Sequence, residues 1–228
     1  MNNLVPELEK IKVNSMRFSR GRIPPVSPII HEELSRDGVI SLLTHTGVYG
    51  IELGVAGGHF SARMVQSNIF KHFFGVDLYE DHHDVTEYKS ALKLIGRLDR
   101  YSLLRMSFDE ALDLFDDQSL DFIYIDGYAH TGEEGGSTYS KWWKKLKPGG
   151  VFSGDDYHSD WPLVIWAVNE MVSQLGVQLH VTGQVEDTHQ NTYPSWFFTK
   201  PNNGSFQLPT ELLNYGQDLR DATRFVHR

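Results

Sequence analysis

The amino-acid sequence predicts an α/β fold built on a mostly parallel sheet of seven strands with helices on both faces. Two observations predict it. Seven short apolar runs, rich in β-branched and aromatic residues, alternate with longer amphipathic segments, and each strand-plus-helix unit takes roughly 20 to 30 residues, as a parallel crossover requires. The first run passes directly into a glycine turn and a helical pattern, "IELGVAGGHFSARMV". Such a turn marks a strand whose carboxyl end faces a ligand crevice.

The runs are "VYGIELG" (48 to 54), "FFGVDLY" (73 to 79), "YSLLRM" (101 to 106), "DFIYID" (121 to 126), "GVFSGD" (150 to 155), "VQLHVTG" (177 to 183) and "SWFFTK" (195 to 200). Helical candidates lie between the first five, near 58 to 71, 84 to 98, 107 to 116 and 133 to 147, the last closed by the helix stop and turn "KPGG". After the fifth run, Val164, Val168, Met171, Val172 and Leu175 recur at helical spacing and form a core face. Ser159 or Asp160 is a candidate N-cap for that helix.

Two segments flank this unit, giving a division into 1–46, 47–200 and 201–228. The first carries "MRFSRGRIPPVSP" and then "IIHEELSRDGVISLL", which reads as a helix preceding the first strand. It is a candidate cap over the site. Arg17, Arg20 and Arg22 read as a solvated arm, with contact to an anionic substrate group as the alternative. The last segment reads as a polar linker followed by a short helix, "TELLNYGQDLRDATRFV".

A length of 228 residues allows an ample core. The net charge of −9 disfavours a nucleic-acid or anionic membrane surface and turns attention to small-molecule partners. There is no cysteine, so disulfides and thiolate metal sites are excluded and any metal is held by oxygen or imidazole. The N-terminus has no apolar signal segment, and no apolar run approaches the ~20 residues that span a bilayer. The expectation is a cytoplasmic protein. Oligomeric state is not fixed, and a homodimer is compatible with the sequence.

Candidate chemistry collects at the predicted strand ends. Glu52, Gly54, Gly57 and Gly58 occupy the end of the first strand and the turn beyond it. Ala56 stands where a G-x-G-x-x-G dinucleotide fingerprint has its second glycine, which weakens a nicotinamide reading. Asp77 ends the second strand, about 25 positions past the turn, where an acidic residue can accept both ribose hydroxyls of an adenosine. Asp155 and Asp156 end the fifth, two like charges side by side. They read either as a solvated loop or helix cap, or as part of a ligand site.

With these residues in view, the chain resembles the class I S-adenosylmethionine-dependent methyltransferases, which have a Rossmann-like fold. The likeness rests on "ELGVAGGHFS", "GVDLY", "MSFDEAL", "DFIYIDG" and "LKPGGVFSGDDY", and covers roughly residues 47 to 200. Within that group the phrase "DDYHSDWPLVIWAVNE" is similar to the metal-dependent macrocin O-methyltransferase type, which methylates sugar hydroxyls of antibiotics. The resemblance implies S-adenosylmethionine at Glu52, Gly54, Gly57 and Ser61, with ribose on Asp77 and adenine near Ser107 and Phe108.

If the fourth and fifth strands are neighbours, Asp126, Asp155 and Asp156 converge on one crevice. Three unpaired carboxylates there repel one another, and a hard divalent cation, Mg²⁺ or Mn²⁺, resolves the repulsion. Such an ion binds and acidifies a hydroxyl of a small-molecule acceptor. Four residues beyond Asp126, His130 is a candidate base for the hydroxyl proton, with His158 as its rival. The family pattern more often has its histidine three residues after the aspartate. Tyr157 and Trp161 are candidates to line the acceptor pocket, Trp161 alternatively packing beneath the following helix. The "EDHHDVTE" stretch (80 to 87) reads as a solvated loop rather than a second metal site. The expected activity is O-methylation of a sugar or sugar-bearing natural product, against two alternatives: a catechol-type acceptor, or a noncatalytic adenosylmethionine-binding module.

Overall fold

The computed structural model describes residues 4–80, 84–183 and 193–223. Its sheet has eight strands: β1 (Ile29–His31), β2 (Val48–Leu53), β3 (Phe70–Asp77), β4 (Tyr101–Arg105), β5 (Leu120–Ile125), β6 (Leu146–Gly154), β7 (His180–Thr182) and β8 (Trp196–Thr199). They lie in the order β1-β7-β8-β6-β5-β2-β3-β4. All pairings are parallel except those of β8, which runs antiparallel to both β6 and β7. β2 therefore pairs with β3 on one side and β5 on the other, and the direction of winding reverses there. That is the switch point at which such sheets form a crevice.

Helices cover both faces: α1 (Leu4–Ser19), α2 (His59–Gln66), α3 (Val85–Leu94), α4 (Phe108–Ala111), α5 (Gly132–Trp142), α6 (Pro162–Leu175) and α7 (Thr210–Thr223). The strand side chains divide between two cores by alternation. Ile51, Ile123, Ile125, Phe152 and Phe198 join one cluster, while Phe122, Tyr124, Val151 and Phe197 join the other. Burial on both faces explains why the strands read as continuous apolar runs. On α6, Val164, Val168, Met171 and Val172 are buried, as their spacing predicts. Among the described residues no helix is long and apolar enough to cross a membrane.

Several expectations need correction. The eighth strand is β1, which lies within the segment expected to be helical. "IIHEELSRDGVISLL" folds instead as β1, a turn and a 3-10 helix at Arg36–Leu42. The paired isoleucines add to the sheet edge beside β7, and Gly38 weakens a longer helix. The helix expected at 107 to 116 is a single α turn followed by a 3-10 turn. The expected 133-to-147 helix ends at Trp142, and "KPGG" lies within β6, with Gly149 at φ +79°. α6 is capped by neither Ser159 nor Asp160. Its N-cap is Trp161, because Pro162 occupies the first helical position with its φ already set for a helix. Helix α1 had no counterpart in the sequence-based expectations, and Arg22 beyond it meets Glu211 of α7 at 3.5 Å. Asp81, His82 and His83 of the histidine-rich stretch lie outside the described residues.

Candidate active site

The ends of β2, β5 and β6 are locked in step. The Asp126 amide donates to the Leu53 carbonyl at 2.8 Å, and the Asp155 amide donates to the Ile125 carbonyl at 3.0 Å. Each bond carries the ladder one residue past its strand. Gly54 leaves β2 at φ +96°, and a Cβ there would stand 1.8 Å from the Asp126 carbonyl oxygen, so only glycine lets the loops pack this closely. Asp156 turns at φ +66°, a left-handed conformation that lets two adjacent carboxylates face a common point. One oxygen each from Asp126, Asp155 and Asp156 lies within 4.8 Å of the others.

Four further residues complete this cluster, none of them anticipated from sequence. Ser195, fully buried, donates its hydroxyl to Asp155 Oδ1 at 2.9 Å, and the Tyr124 hydroxyl lies 2.9 Å from Ser195 Oγ. Since the carboxylate takes the serine proton, Tyr124 donates to Ser195 and the chain has one direction. Arg36, the first residue of the 3-10 turn, places its guanidinium 3.1 Å from Asp126 Oδ2 and in contact with Asp155 Oδ2. Burial is the largest influence and works against its charge, but the charges of Asp126, Tyr124, Glu52 and Asp156 together outweigh it and hold Arg36 above its ordinary value. Glu133 enters through a left-handed run, Gly132 to Gly136, with φ between +52° and +87°. Its Oε1 accepts the Gly127 amide at 3.0 Å, and burial together with Glu134 pushes its carboxyl up to about 8. Asp156 is raised too, first by burial and then by the Asp126 charge. The one sequence signal for Glu133 was the glycine frame of "GEEGG", which predicts a special backbone and nothing about an acid.

The residues expected to hold a nucleoside line the same end of the sheet, with their side chains largely engaged. Glu52 is buried and accepts the Ser61 hydroxyl, and Ser61 also lies 3.0 Å from the Tyr101 hydroxyl. Burial raises the Glu52 carboxyl well above its ordinary range. Asp77 Oδ2 accepts the Val55 and Ala56 amides, both at 2.9 Å, and Oδ1 accepts the Tyr79 amide at 3.0 Å. Two oxygens offer about four acceptor positions, so one remains for a ribose hydroxyl. Ser107 is the N-cap of α4 in a reciprocal capping box with Glu110. Phe108 leans on the loop after β5, where a Cβ on Gly127 would come within 2.7 Å of its ring. At Gly57 a Cβ would meet nothing nearer than the His59 ring at 3.4 Å, so the backbone is open to close approach.

The two histidines are differently placed. His130 sits in the 3-10 turn Ala129–Thr131 and lines a narrow crevice with Lys12 and Ser15 of α1 and with Asp160 and Trp161 before α6. Ser15 Oγ and Trp161 Nε1 are buried there without a hydrogen-bond partner. His158 is engaged in its own loop: its Nδ1 accepts the Asp160 amide at 3.2 Å. Tyr157 donates to Asn169 Oδ1 of α6 at 2.7 Å. Trp161 lies under the Lys12 ammonium, 4.7 Å from its ring centre.

Residues 51–157 match a family model described as a methyltransferase domain. Over that stretch, just under half of its length, the chain is similar to that domain. Its fold is that of the class I, S-adenosylmethionine-dependent methyltransferases. An SAM-dependent O-methyltransferase from Thermotoga maritima superposes with a TM-score of 0.53 at 18% identity, over 86% of this chain and 72% of that one. A Streptococcus mutans protein described as a methyltransferase, in complex with SAH, gives 0.53 at 12% identity over 72% of this chain and 94% of that one. Spermidine synthase from Thermotoga maritima gives 0.54 at 14% identity over 76% of this chain, which spans 60% of that synthase's length. At such identities the likeness is one of fold. A comparison with curated proteins gives no match.

Proposed function

We propose that this methyltransferase is an O-methyltransferase that uses S-adenosylmethionine and Mg²⁺ or Mn²⁺ and acts on a hydroxyl of a small molecule, a sugar or sugar-bearing natural product. The observation that carries this proposal is the convergence of Asp126, Asp155 and Asp156 to within 4.8 Å. The donor set fits a hard cation: all oxygen, all carboxylate, and close enough together to be reached by one ion. A cation already belongs to the site in the form of the Arg36 guanidinium. When bound, the divalent ion supplies Lewis acidity that lowers the pKa of an acceptor hydroxyl.

S-adenosylmethionine, when bound, supplies an electrophilic methyl group, and the residues suited to hold it are Glu52, Gly54, Gly57, Ser61, Asp77, Ser107 and Phe108. Ser195 and Tyr124 aim Asp155. His130 receives the acceptor's hydroxyl proton on its imidazole. Residues 1–46 act as a cap, α1 closing the crevice beside His130, residues 47–200 carry the chemistry and residues 201–228 form an extension. The charge of −9 and the lack of cysteine suit a cytoplasmic enzyme with a small-molecule acceptor rather than a nucleic-acid one.

The test is methyl transfer from labelled S-adenosylmethionine to a panel of sugar and catechol acceptors. A chelator should abolish transfer, Mg²⁺ or Mn²⁺ should restore it, and adenosylhomocysteine binding measured by calorimetry should survive chelation. Full transfer by verified metal-free protein would refute the metal requirement. Transfer confined to catechols would move the acceptor class.

A further inference from the structure

Arg36 and a divalent ion draw on the same carboxylates. The guanidinium contacts Asp126 Oδ2 at 3.1 Å and also Asp155 Oδ2, through one and the same terminal nitrogen. Its side chain is only 12% exposed, and Nε has no hydrogen-bond partner. A hard cation binds carboxylate oxygen at about 2.1 Å, so it competes with a second positive charge a few ångströms away on the same groups.

We propose that Arg36 is an exchangeable counter-cation: it holds Asp126 and Asp155 together in the metal-free protein and is displaced when a divalent ion binds. The ion's affinity is then the difference between two occupants of one site. Three features of the geometry favour exchange over a permanent ion pair. Arg36 forms ion pairs with two of the three clustered carboxylates, whereas Asp156 lies within the same 4.8 Å and acts on it through its charge. The guanidinium leaves a buried donor unused, so its fit is incomplete. The backbone is held independently of the guanidinium, because the adjacent Asp37 is paired with Arg63 of α2 at 3.0 Å. Only the Arg36 side chain has to move.

This inference rests on the metal reading above for the identity of the displacing ion, and the test separates the two. Mn²⁺ alone is titrated calorimetrically into the metal-free full chain and into Arg36→Gln, with melting curves recorded for both. The variant should bind Mn²⁺ at least tenfold more tightly than the wild type. Its metal-free form should melt lower than wild type and be restored by Mn²⁺. Equal or weaker binding by the variant, with the wild type binding normally, overturns exchange and leaves the metal reading standing. Binding by the variant alone shows that Arg36 excludes the ion rather than exchanging with it, and overturns both exchange and metal use by the native chain; binding by neither also overturns both. Folding of Arg36→Gln only when Mn²⁺ is present supports exchange. If it folds in neither condition, Arg36→Lys is judged by the same order of affinities.

Discussion

The Asp77 carboxylate accepts the Ala56 amide at 2.9 Å and so holds a non-glycine residue at φ +46°. The acid expected to receive a ribose is therefore also the clasp of the glycine-rich loop, which it grips through Val55, Ala56 and Tyr79. Asp77→Ala should weaken adenosylhomocysteine binding by about 1.5 to 3 kcal/mol, the range for a hydrogen bond to a charged group, and lower the melting temperature as well. Calorimetric titration beside thermal melting checks both. A lower melting temperature with unchanged affinity would leave Asp77 only its structural task.

Two glycines of that loop separate packing from ligand approach. Gly54→Ala drives a Cβ toward the Asp126 carbonyl at a positive φ, and should cost about 3 kcal/mol or more in denaturant unfolding. Gly57→Ala has room, with its nearest neighbour at 3.4 Å. Its stability should stay within about 0.5 kcal/mol of wild type, while affinity for adenosylhomocysteine falls if the cofactor approaches there. Unchanged affinity would remove Gly57 from the cofactor site.

The choice between the histidines is decided by proton bookkeeping. His158 Nδ1 already accepts the Asp160 amide, so its neutral ring carries hydrogen on Nε2 and has no ring nitrogen left to accept another. His130→Ala should lower kcat by about 10² to 10⁴, the usual cost of losing a general base, with little change in metal and cofactor affinity. His158→Ala should have a much smaller effect. Measurement of both at saturating cofactor and metal settles it, and a crippled His158→Ala reverses the assignment.

Glu133 makes the stability of the metal-free protein depend on pH. In the unfolded chain its carboxyl has the ordinary value of 4.5, and in the folded chain about 8. Between these values the unfolded chain has released its proton and the folded chain has kept it. Unfolding therefore releases a proton, and Glu133's contribution to stability falls as pH rises from about 4.5 to about 8, with no further change above. Denaturant midpoints across this range should show a shallower decline in Glu133→Gln. An identical slope in the variant would assign the dependence to other groups.

The legible part of the site was the part carried by local pattern. Strand ends at Glu52, Asp77, Asp126 and Asp155 follow from apolar runs that stop at a charge, and the glycine turn from residues that alone tolerate its backbone. Ser107 shows the limit of this: its "SFDE" spelling is a capping box, so a position assigned to adenine also has a local structural task. Arg36 stood in "SRDG", inside a segment that reads as a helix, and Ser195 stood at the start of an apolar run. Neither carries a spacing that connects it to Asp155.

By itself, the sequence determined the alternation of strand and helix, the burial of strands on both faces, the ligand chemistry left open by the lack of cysteine, and the crevice end of the sheet. These depend on interactions between near neighbours and on composition, which a linear pattern records. Only the tertiary structure decided that β1 extends the sheet, that Arg36 is the cation between Asp126 and Asp155, that Ser195 aims one of these acids, and that a left-handed turn buries Glu133. Each of these depends on strand order and loop path, which bring together groups such as Arg36 and Asp155 or Ser195 and Tyr124 that lie 119 and 71 residues apart in the chain. Charge repulsion among the carboxylates was predictable; which positive group relieves it in this structure depended on where the chain's long-range contacts placed an arginine.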